Sequence, residues 1–362
     1  MLDIYAGPTA LHKIQQEGLR PELFDTILGA SGGPKWFVLA GLDRVILPEF
    51  FANTDHTIHC IGSSAGAFRA ACMAQADPKA AINRLAQHYS HTTYSDKPTA
   101  HDITQSVYAI MDQMMGPSGV NEILTNPRVK AHFIVARSLG LTQFEHKALQ
   151  IPGLLLSAGL NALSRKTLKY FYERVVYSTA DLHIQCPAHL PSTYYSLCKD
   201  NLIQALTASG SIPAVMEGIR NIKGSKTGMY RDGGIIDYHF DLSFAHQYHD
   251  ALEGSHQTAQ TLTLYPHFYP KPIPGWFDKH IASRHPHRSN YDNVVMLVPS
   301  AEFIDNLPYN KIPDRKDFET MDSTQRIAYW TRVLQETDRL GESFLNAADD
   351  ENICNKIKPL CF

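Results

Sequence analysis

Ile58-His59-Cys60-Ile61-Gly62-Ser63-Ser64-Ala65-Gly66 joins an apolar run to a small-residue segment of helical character over 65–76. Its last five residues spell G-x-S-x-G. In that pattern a sharp strand-to-helix turn strains the backbone of the central serine and lifts its hydroxyl clear of a sheet, while the glycines leave room that a side chain would fill. Ser64 is thereby the first candidate nucleophile, and the turn announces a strand followed directly by a helix. Small residues also cluster by chance in a chain with 22 glycines, so the reading depends on what surrounds the pentapeptide.

Working outward, 23–28 reads as a short buried strand and Ser31-Gly32-Gly33-Pro34 as a turn. Residues 35–47 read as a buried helix, opened by Pro34 at its first position and stopped by Pro48. After the elbow, the 65–76 helix is closed by Asp77-Pro78 and another helix follows over 79–90. Strand, helix, strand, helix predicts a parallel sheet covered on both faces. The stretch 92–190 is less regular, with helices predicted near 104–115 and 141–149 and a strand at 131–137; much of it is expected to be cap or insertion. Beyond it, 201–208 reads as a helix running into the turn Ala208-Ser209-Gly210-Ser211-Ile212-Pro213. Strands are predicted at 228–231, 261–265 and 294–298, and 323–348 carries a helical period. The expected architecture is a single α/β catalytic domain over 1–300, with 301–362 as a C-terminal helical extension packed on it.

Bulk properties bound the function. The chain has 362 residues, 44% of them hydrophobic, enough for one large core. Lys and Arg total 33 against 36 Asp and Glu, a formal charge of -3 with no basic block, which argues against nucleic acid as a partner. Cys60, Cys72, Cys186, Cys198, Cys354 and Cys361 lack C-x-x-C spacing, so reduced thiols, mostly filling the core, are expected rather than a zinc site. The opening Met1-Leu2-Asp3-Ile4-Tyr5-Ala6-Gly7-Pro8 lacks the basic and apolar regions of a Sec signal, so a cytoplasmic location is expected, with export by another route left open. The longest apolar stretch, 151–163, is interrupted by Pro152, Gly153, Gly159 and Asn161 and falls short of a bilayer span; any membrane contact is expected to be peripheral.

A serine hydroxyl needs a base for its proton and donors for the oxyanion that forms. Gly32-Gly33 lies in a strand-to-helix turn, where open backbone amides make an anion site, although an ordinary loop fits the same residues. Asp232-Gly233-Gly234 sets a carboxylate just after a strand; alone it reads equally as a β-turn. With the elbow, these motifs form an ordered set that resembles the patatin-like phospholipase family. That family combines a glycine-rich segment G-G-G-x-Arg/Lys-Gly, a G-x-S-x-G elbow, an A-S-x-A-x-P segment and a D-G-G or D-G-A. The matches are Ser31-Gly32-Gly33-Pro34-Lys35-Trp36, then Gly62 to Gly66, Ala208 to Pro213 and Asp232 to Gly234, so the resemblance covers 24–236.

The resemblance implies a three-layer α/β/α fold with a central, mostly parallel sheet. It implies Ser64 as nucleophile and Asp232 as its only side-chain base, with no metal or organic cofactor, and phospholipids or lysophospholipids as substrates met at a membrane or micelle surface. A carboxylate of ordinary pKa is a weak base, so Asp232 must lie within about 2.6–3.2 Å of the hydroxyl and be partly desolvated. Oxyanion donation falls to the backbone of Gly32 and Gly33, with Lys35 or Ala65 as further donors, because Pro34 has no N–H. Lys35 stands at the family's basic position and is expected to stabilise the loop or an anionic head group. Ser31, Trp36 and Ser211 depart from the pattern: Trp36 would narrow the acyl entrance, Ser211 is a mild change, and Ser63 is expected to be a bystander.

Other readings stay open at this point. His239, His267, His280, His285 and His287 follow Asp232 in the order that a Ser-His-Asp triad on a related fold would need. Asp237 is read as a structural acid. The aromatic and proline-rich 266–277 either anchors at a lipid interface or packs on the core. Leu154, Leu155, Leu156, Leu160 and Leu163 either line an acyl channel or cap, or form a buried helix, which is the favoured reading. The alternatives to lipid hydrolysis are a non-catalytic lipid- or protein-binding module and a general esterase or thioesterase.

Overall fold

In the computed structural model, which describes residues 1–181, 190–243 and 261–362, the chain opens with β1 (Leu2–Ala6) and α1 (Pro8–Glu17). β2 (Phe24–Gly29) leads into one helical run in three registers: a 3-10 segment at Gly33–Leu39, α2 (Ala40–Val45) and a π turn at Ile46–Phe50. Pro48 therefore lies inside this run and does not stop it. The Phe51 N–H reaches back to the Ile46 carbonyl at 2.9 Å, and this wider closure bypasses the residue that has no N–H to give.

β3 (Ile58–Ser63) runs into α3 (Ala65–Met73), then α4 (Pro78–Ser90), α5 (Ala100–Met115) and α6 (Gly119–Thr125). β4 (Val129–Ser138), α7 (Lys147–Leu163), β5 (Tyr172–Ser178) and β6 (Ser192–Ser196) come next. α8 (Leu202–Gly210), β7 (Ile219–Arg220) and β8 (Met229–Asp232) carry the chain to β9 (Leu262–Pro266) and β10 (Val294–Pro299). Two short helices, α9 (Ala301–Asp305) and α10 (Asp317–Thr320), precede α11 (Ser323–Glu336), α12 (Asp338–Ala348) and the closing β11 (Lys358–Pro359). The helix expected at 141–149 is displaced. Gly140–Gln143 forms a 3-10 turn and α7 starts only at Lys147, continuing unbroken through Pro152.

The described strands form one sheet in the order β11-β1-β10-β9-β2-β3-β4-β5-β6, with β8 joined to β4 and β7 to β8. Its centre, from β10 through β9, β2 and β3 to β4, is parallel. Every residue of β2, β3 and β10 is buried, and because alternate residues point to opposite faces, both faces must be covered. The architecture is a three-layer α/β/α sandwich around a mostly parallel sheet.

The expectation that much of 92–190 is cap or insertion needs correction, because β4 and β5 belong to the sheet and β4 is one of its most heavily paired strands. Along one edge of β4, parallel β3 pairs as far as Ser63 opposite Ile134. Antiparallel β8 takes over on the next residue, with Asp232 opposite Val135. The sequence pattern concealed this because β4 is a lone apolar run between helices, with no turn motif to tie it to either partner. Part of that stretch, 182–189 with Cys186, lies outside the described residues. Of the other five cysteines, Cys60 and Cys72 are buried in the core and Cys354 packs partly buried against it, while Cys198 and Cys361 are exposed, so core filling does not describe the last two.

α3 lies directly on β2, β3 and β4. The approach is close enough that a Cβ on Gly66 would fall 1.7 Å from the Gly29 carbonyl oxygen. Arg69 on α3 then reaches Asp43 on α2 with two hydrogen bonds of 2.7 Å, both side chains buried, so the helix after the elbow is bonded to the helix after the glycine turn. The C-terminal segment grips α2 from the other side. A Cβ on Gly41 would meet the Thr337 carbonyl at 1.7 Å, and Arg44 bonds the Asp338 carboxylate at 2.8 Å. Trp330, fully buried, packs its ring against Phe37 at 5.2 Å. Among the described residues no helix is long and apolar enough to cross a membrane.

The Gly66 approach makes a stability prediction. Gly66→Ala forces backbone against backbone and is expected to cost about 3 kcal/mol, read as a lowered urea midpoint. A midpoint equal to that of the wild type would show that α3 does not seat as described.

Candidate active site

Ser64 occupies the single residue between β3 and α3. Its backbone sits at φ 54° and ψ -126°, a conformation that costs a residue with a Cβ and persists only where neighbours impose it. Those neighbours can be named. The Ser64 N–H donates to Ser209 Oγ at 3.0 Å, and Ser209 Oγ donates in turn to the Ile134 carbonyl of β4 at 2.7 Å. Gly233 presses on the same carbonyl; a Cβ there would lie 2.1 Å from its oxygen. The strain at Ser64 is thus held by β4 and α8 together.

The consequence is a short contact across 168 residues: Ser64 Oγ donates to Asp232 Oδ2 at 2.9 Å. The other carboxylate oxygen, Oδ1, accepts the Gly234 N–H at 2.7 Å, and the Asp232 N–H donates to the Ser211 carbonyl at 3.0 Å. Burial pushes the Asp232 pKa above the usual carboxylate value, against the opposing pull of the Gly234 amide, the Arg315 charge, the Ser64 hydroxyl and Lys279. A carboxylate so placed is a stronger base than a solvated aspartate and has one proton within reach.

Ser31 Oγ donates to both the Ser63 carbonyl and Ser63 Oγ, each at 3.1 Å, so the serine that stands in for a glycine ties this turn to the elbow. Ser63 is therefore a strut. Gly32 is extended at φ 176°, Gly33 is left-handed at φ 56°, and Pro34 falls in the first turn of the 3-10 segment, where its lack of an N–H costs nothing. Gly32, Gly33 and Lys35 line the same cavity as Ser64. The Lys35 N–H donates to the Gly32 carbonyl at 3.3 Å and its ammonium pairs with Asp314. Burial and the neighbouring Arg315 push the Lys35 pKa down to about 8.

The cavity next to Ser64 encloses about 1050 Å³. Trp36, Phe68, Val107 and Ile110 give it apolar walls, while Lys279 and Arg315 bring positive charge from the C-terminal third. The Lys279 ammonium lies 4.0 Å from the centre of the Tyr238 ring, and burial together with Arg315 and Lys35 lowers its pKa to about 7. Among the described residues Arg315 has no ion-pair partner, and its Nε comes within 3.3 Å of where a Gly33 Cβ would stand. No short motif marks Arg315 or Lys279 in the sequence, since tertiary packing alone brings them here. Ser209 stood inside the quoted 208–213 segment, and its place one turn before Pro213 was the available signal.

No histidine lines this cavity among the described residues. His239 accepts the Ile273 N–H at 2.9 Å and His267 contacts the Tyr269 carbonyl at 2.6 Å. Burial pushes the pKa of His239 far down and that of His267 down to about 3, so both stay neutral. His287 pairs with Asp241, while His280 and His285 are exposed. Asp237 is held by Arg174 through bonds of 2.6 and 2.8 Å. In 266–277, Phe268 is fully buried and Trp276 and Phe277 are half-buried, so this segment packs on the core.

No family model matches the chain, and no curated protein does. Among solved structures it is similar to VipD from Legionella pneumophila, with a TM-score of 0.35 and 13% identity over 89% of this chain and 67% of that one.

A buried carboxylate with a raised pKa carries a sign that can be checked. The folded state holds the Asp232 proton more tightly than the unfolded state does, so its contribution to stability is full below the unfolded pKa and is lost as pH rises through the folded one. Asp232→Asn, which keeps an acceptor for Gly234, is expected to unfold at a higher urea concentration than wild type at pH 8, with the gap closing toward pH 5. An Asn variant less stable than wild type at pH 8 would contradict the desolvation.

Proposed function

We propose that this chain is a serine hydrolase of fatty-acyl esters, of the patatin-like type, with phospholipids or lysophospholipids as substrates. The observation that carries the reading is the 2.9 Å bond from Ser64 Oγ to a buried Asp232, in a cavity that no histidine lines among the described residues. In this reading Asp232 takes the Ser64 proton as Oγ attacks the ester carbonyl. The amides of Gly32 and Gly33 stabilise the oxyanion, with Ala65 or a reoriented Lys35 N–H as a third donor. Collapse of the tetrahedral intermediate breaks the bond to the alcohol, which leaves with the proton returned by Asp232. Water then gives a proton to Asp232 as its oxygen attacks the acyl-serine carbonyl; collapse breaks the bond to Ser64 Oγ, which takes that proton back from Asp232 as the fatty acid leaves.

The walls and charges of the cavity support the substrate class. Its volume of about 1050 Å³ accommodates an acyl chain. Burial, and after it the charge of Arg315, lowers the pKa of Lys279 and Lys35, and an anionic phosphate set among these three cations would offset both the lost hydration and the repulsion.

Two measurements test this. Ser64→Ala and Asp232→Asn are each expected to lower hydrolysis of a long-chain acyl ester by about a thousandfold or more. A fluorophosphonate is expected to label Ser64 alone; an unlabelled protein that still binds lipid would turn the reading into a binding module. The pH dependence of kcat/KM on an anionic lipid is expected to rise as Asp232 ionises and to fall as Lys279, near 7, loses its charge. Lys279→Arg, which stays charged to pH ~12, is expected to move the falling limb toward about 8, where Lys35 titrates. An unmoved limb would remove Lys279 from head-group binding.

A further inference from the structure

α7 is inside out. Its buried residues are Gln150, Gly153, Ser157 and Asn161, a polar and small stripe at helical spacing. Its leucines face outward: Leu163 is 81% exposed, Leu155 68% and Leu156 51%. This reverses the usual arrangement of a surface helix, which turns its apolar stripe to the core, and it overturns the favoured sequence reading of these leucines as a buried helix. The orientation is fixed by bonds. Gln150 accepts the Ala214 N–H at 2.9 Å and donates to the Phe144 carbonyl at 3.0 Å, and Asn161 donates to Asp278 at 2.7 Å. Gly153 sits so close to the preceding turn that a Cβ would meet Leu141 at 2.8 Å. Rolling the helix to hide its leucines would break all of these contacts.

Charge indicates what covers this face. Residues 146–170 contain no Asp or Glu, while Lys147, Lys166 and Lys169 are exposed at the two ends of the helix and have no ion-pair partner among the described residues. The adjacent Glu145 pairs with Arg231. A second copy is poorly suited, since an isologous contact sets each patch against itself and an antiparallel pair of α7 helices would bring Lys147 onto Lys166 and Lys169. Exposed leucines between unpaired lysines match a surface whose interior is apolar and whose face is anionic.

We infer that the outward face of α7 docks this protein on an anionic phospholipid bilayer, with the helix lying in the plane of the interface. Docking does not require the hydrolase reading, because a lipid-binding module would use the same face. The buried face of the docked helix rests on the loops that line the Ser64 cavity: Ala214 follows Pro213, and Asp278 lies between Trp276 and Lys279.

The test uses the full chain carrying Ser64→Ala, so that lipid is not consumed, sedimented with vesicles of phosphatidylcholine alone or in equal parts with phosphatidylglycerol. Strong binding is expected only to the mixed vesicles, weakening with added salt. Leu155→Ser with Leu156→Ser, and separately Lys166→Glu with Lys169→Glu, are each expected to reduce it about tenfold or more, with melting temperatures unchanged because these side chains are exposed. In the Ser64 background the same substitutions are expected to leave hydrolysis of a dissolved short-chain ester intact. A short-chain ester left uncleaved would count against the hydrolase alone and not against docking. Absence of vesicle binding, or binding that survives the leucine substitutions, would overturn the inference. So would a change in self-association without a change in vesicle binding, which would make the face a protein interface.

Discussion

Two adjacent residues of β4 determine the geometry of the site. Ile134 is the last residue to pair with β3, at Ser63, and Val135 is where β8 ends, at Asp232. Two strands that run in opposite directions thus finish head to head on one edge of a third, and the residues at their tips must face each other. The repeat of one peptide unit sets their separation, which is a tighter ruler than side-chain packing can supply. The Ile134 carbonyl also accepts the bond from Ser209, which holds the Ser64 amide, so the same backbone unit governs both the position and the strain of the elbow.

Everything around that ruler serves to keep a helix pressed against it. α3 can sit low on the sheet because Gly66 meets Gly29 backbone to backbone, and the buried pair Arg69–Asp43 stops it from sliding relative to α2. Two buried charges are expensive to desolvate, and removing either partner would cost about 3–5 kcal/mol, so such a pair specifies one arrangement more than it adds stability. The ionised form of Asp232 is likewise tolerated at the expense of stability, sustained by one amide and one hydroxyl.

Short-range chemistry was what the sequence made legible. The elbow, the turn at Gly32-Gly33 and Asp232-Gly233-Gly234 are glycine-punctuated, and glycine patterns report backbone demands that act over a few residues. The strands at the centre of the sheet were readable for a similar reason, since burial on both faces writes continuous apolar runs. What escaped was set by distant partners. β4 looked like part of an insertion because nothing within its own sequence says that two other strands end on it. Arg315 and Lys279 reach the cavity only through folding of the C-terminal third. Pro48 was misread because a π turn relaxes the rule that a proline ends a helix, and the leucines of α7 because an apolar helix is normally a buried one.

The hold of the C-terminal segment on α2 has a consequence for how the protein is made. Gly41 needs Thr337 against it, Lys35 needs Asp314, and β1 at the start of the chain needs β10 and β11 at its end. A ribosome delivers those partners well after the elbow. Until they emerge, the elbow and the glycine turn exist as sequence without their supporting layer, and the cavity lacks the wall that Asp314 and Arg315 supply.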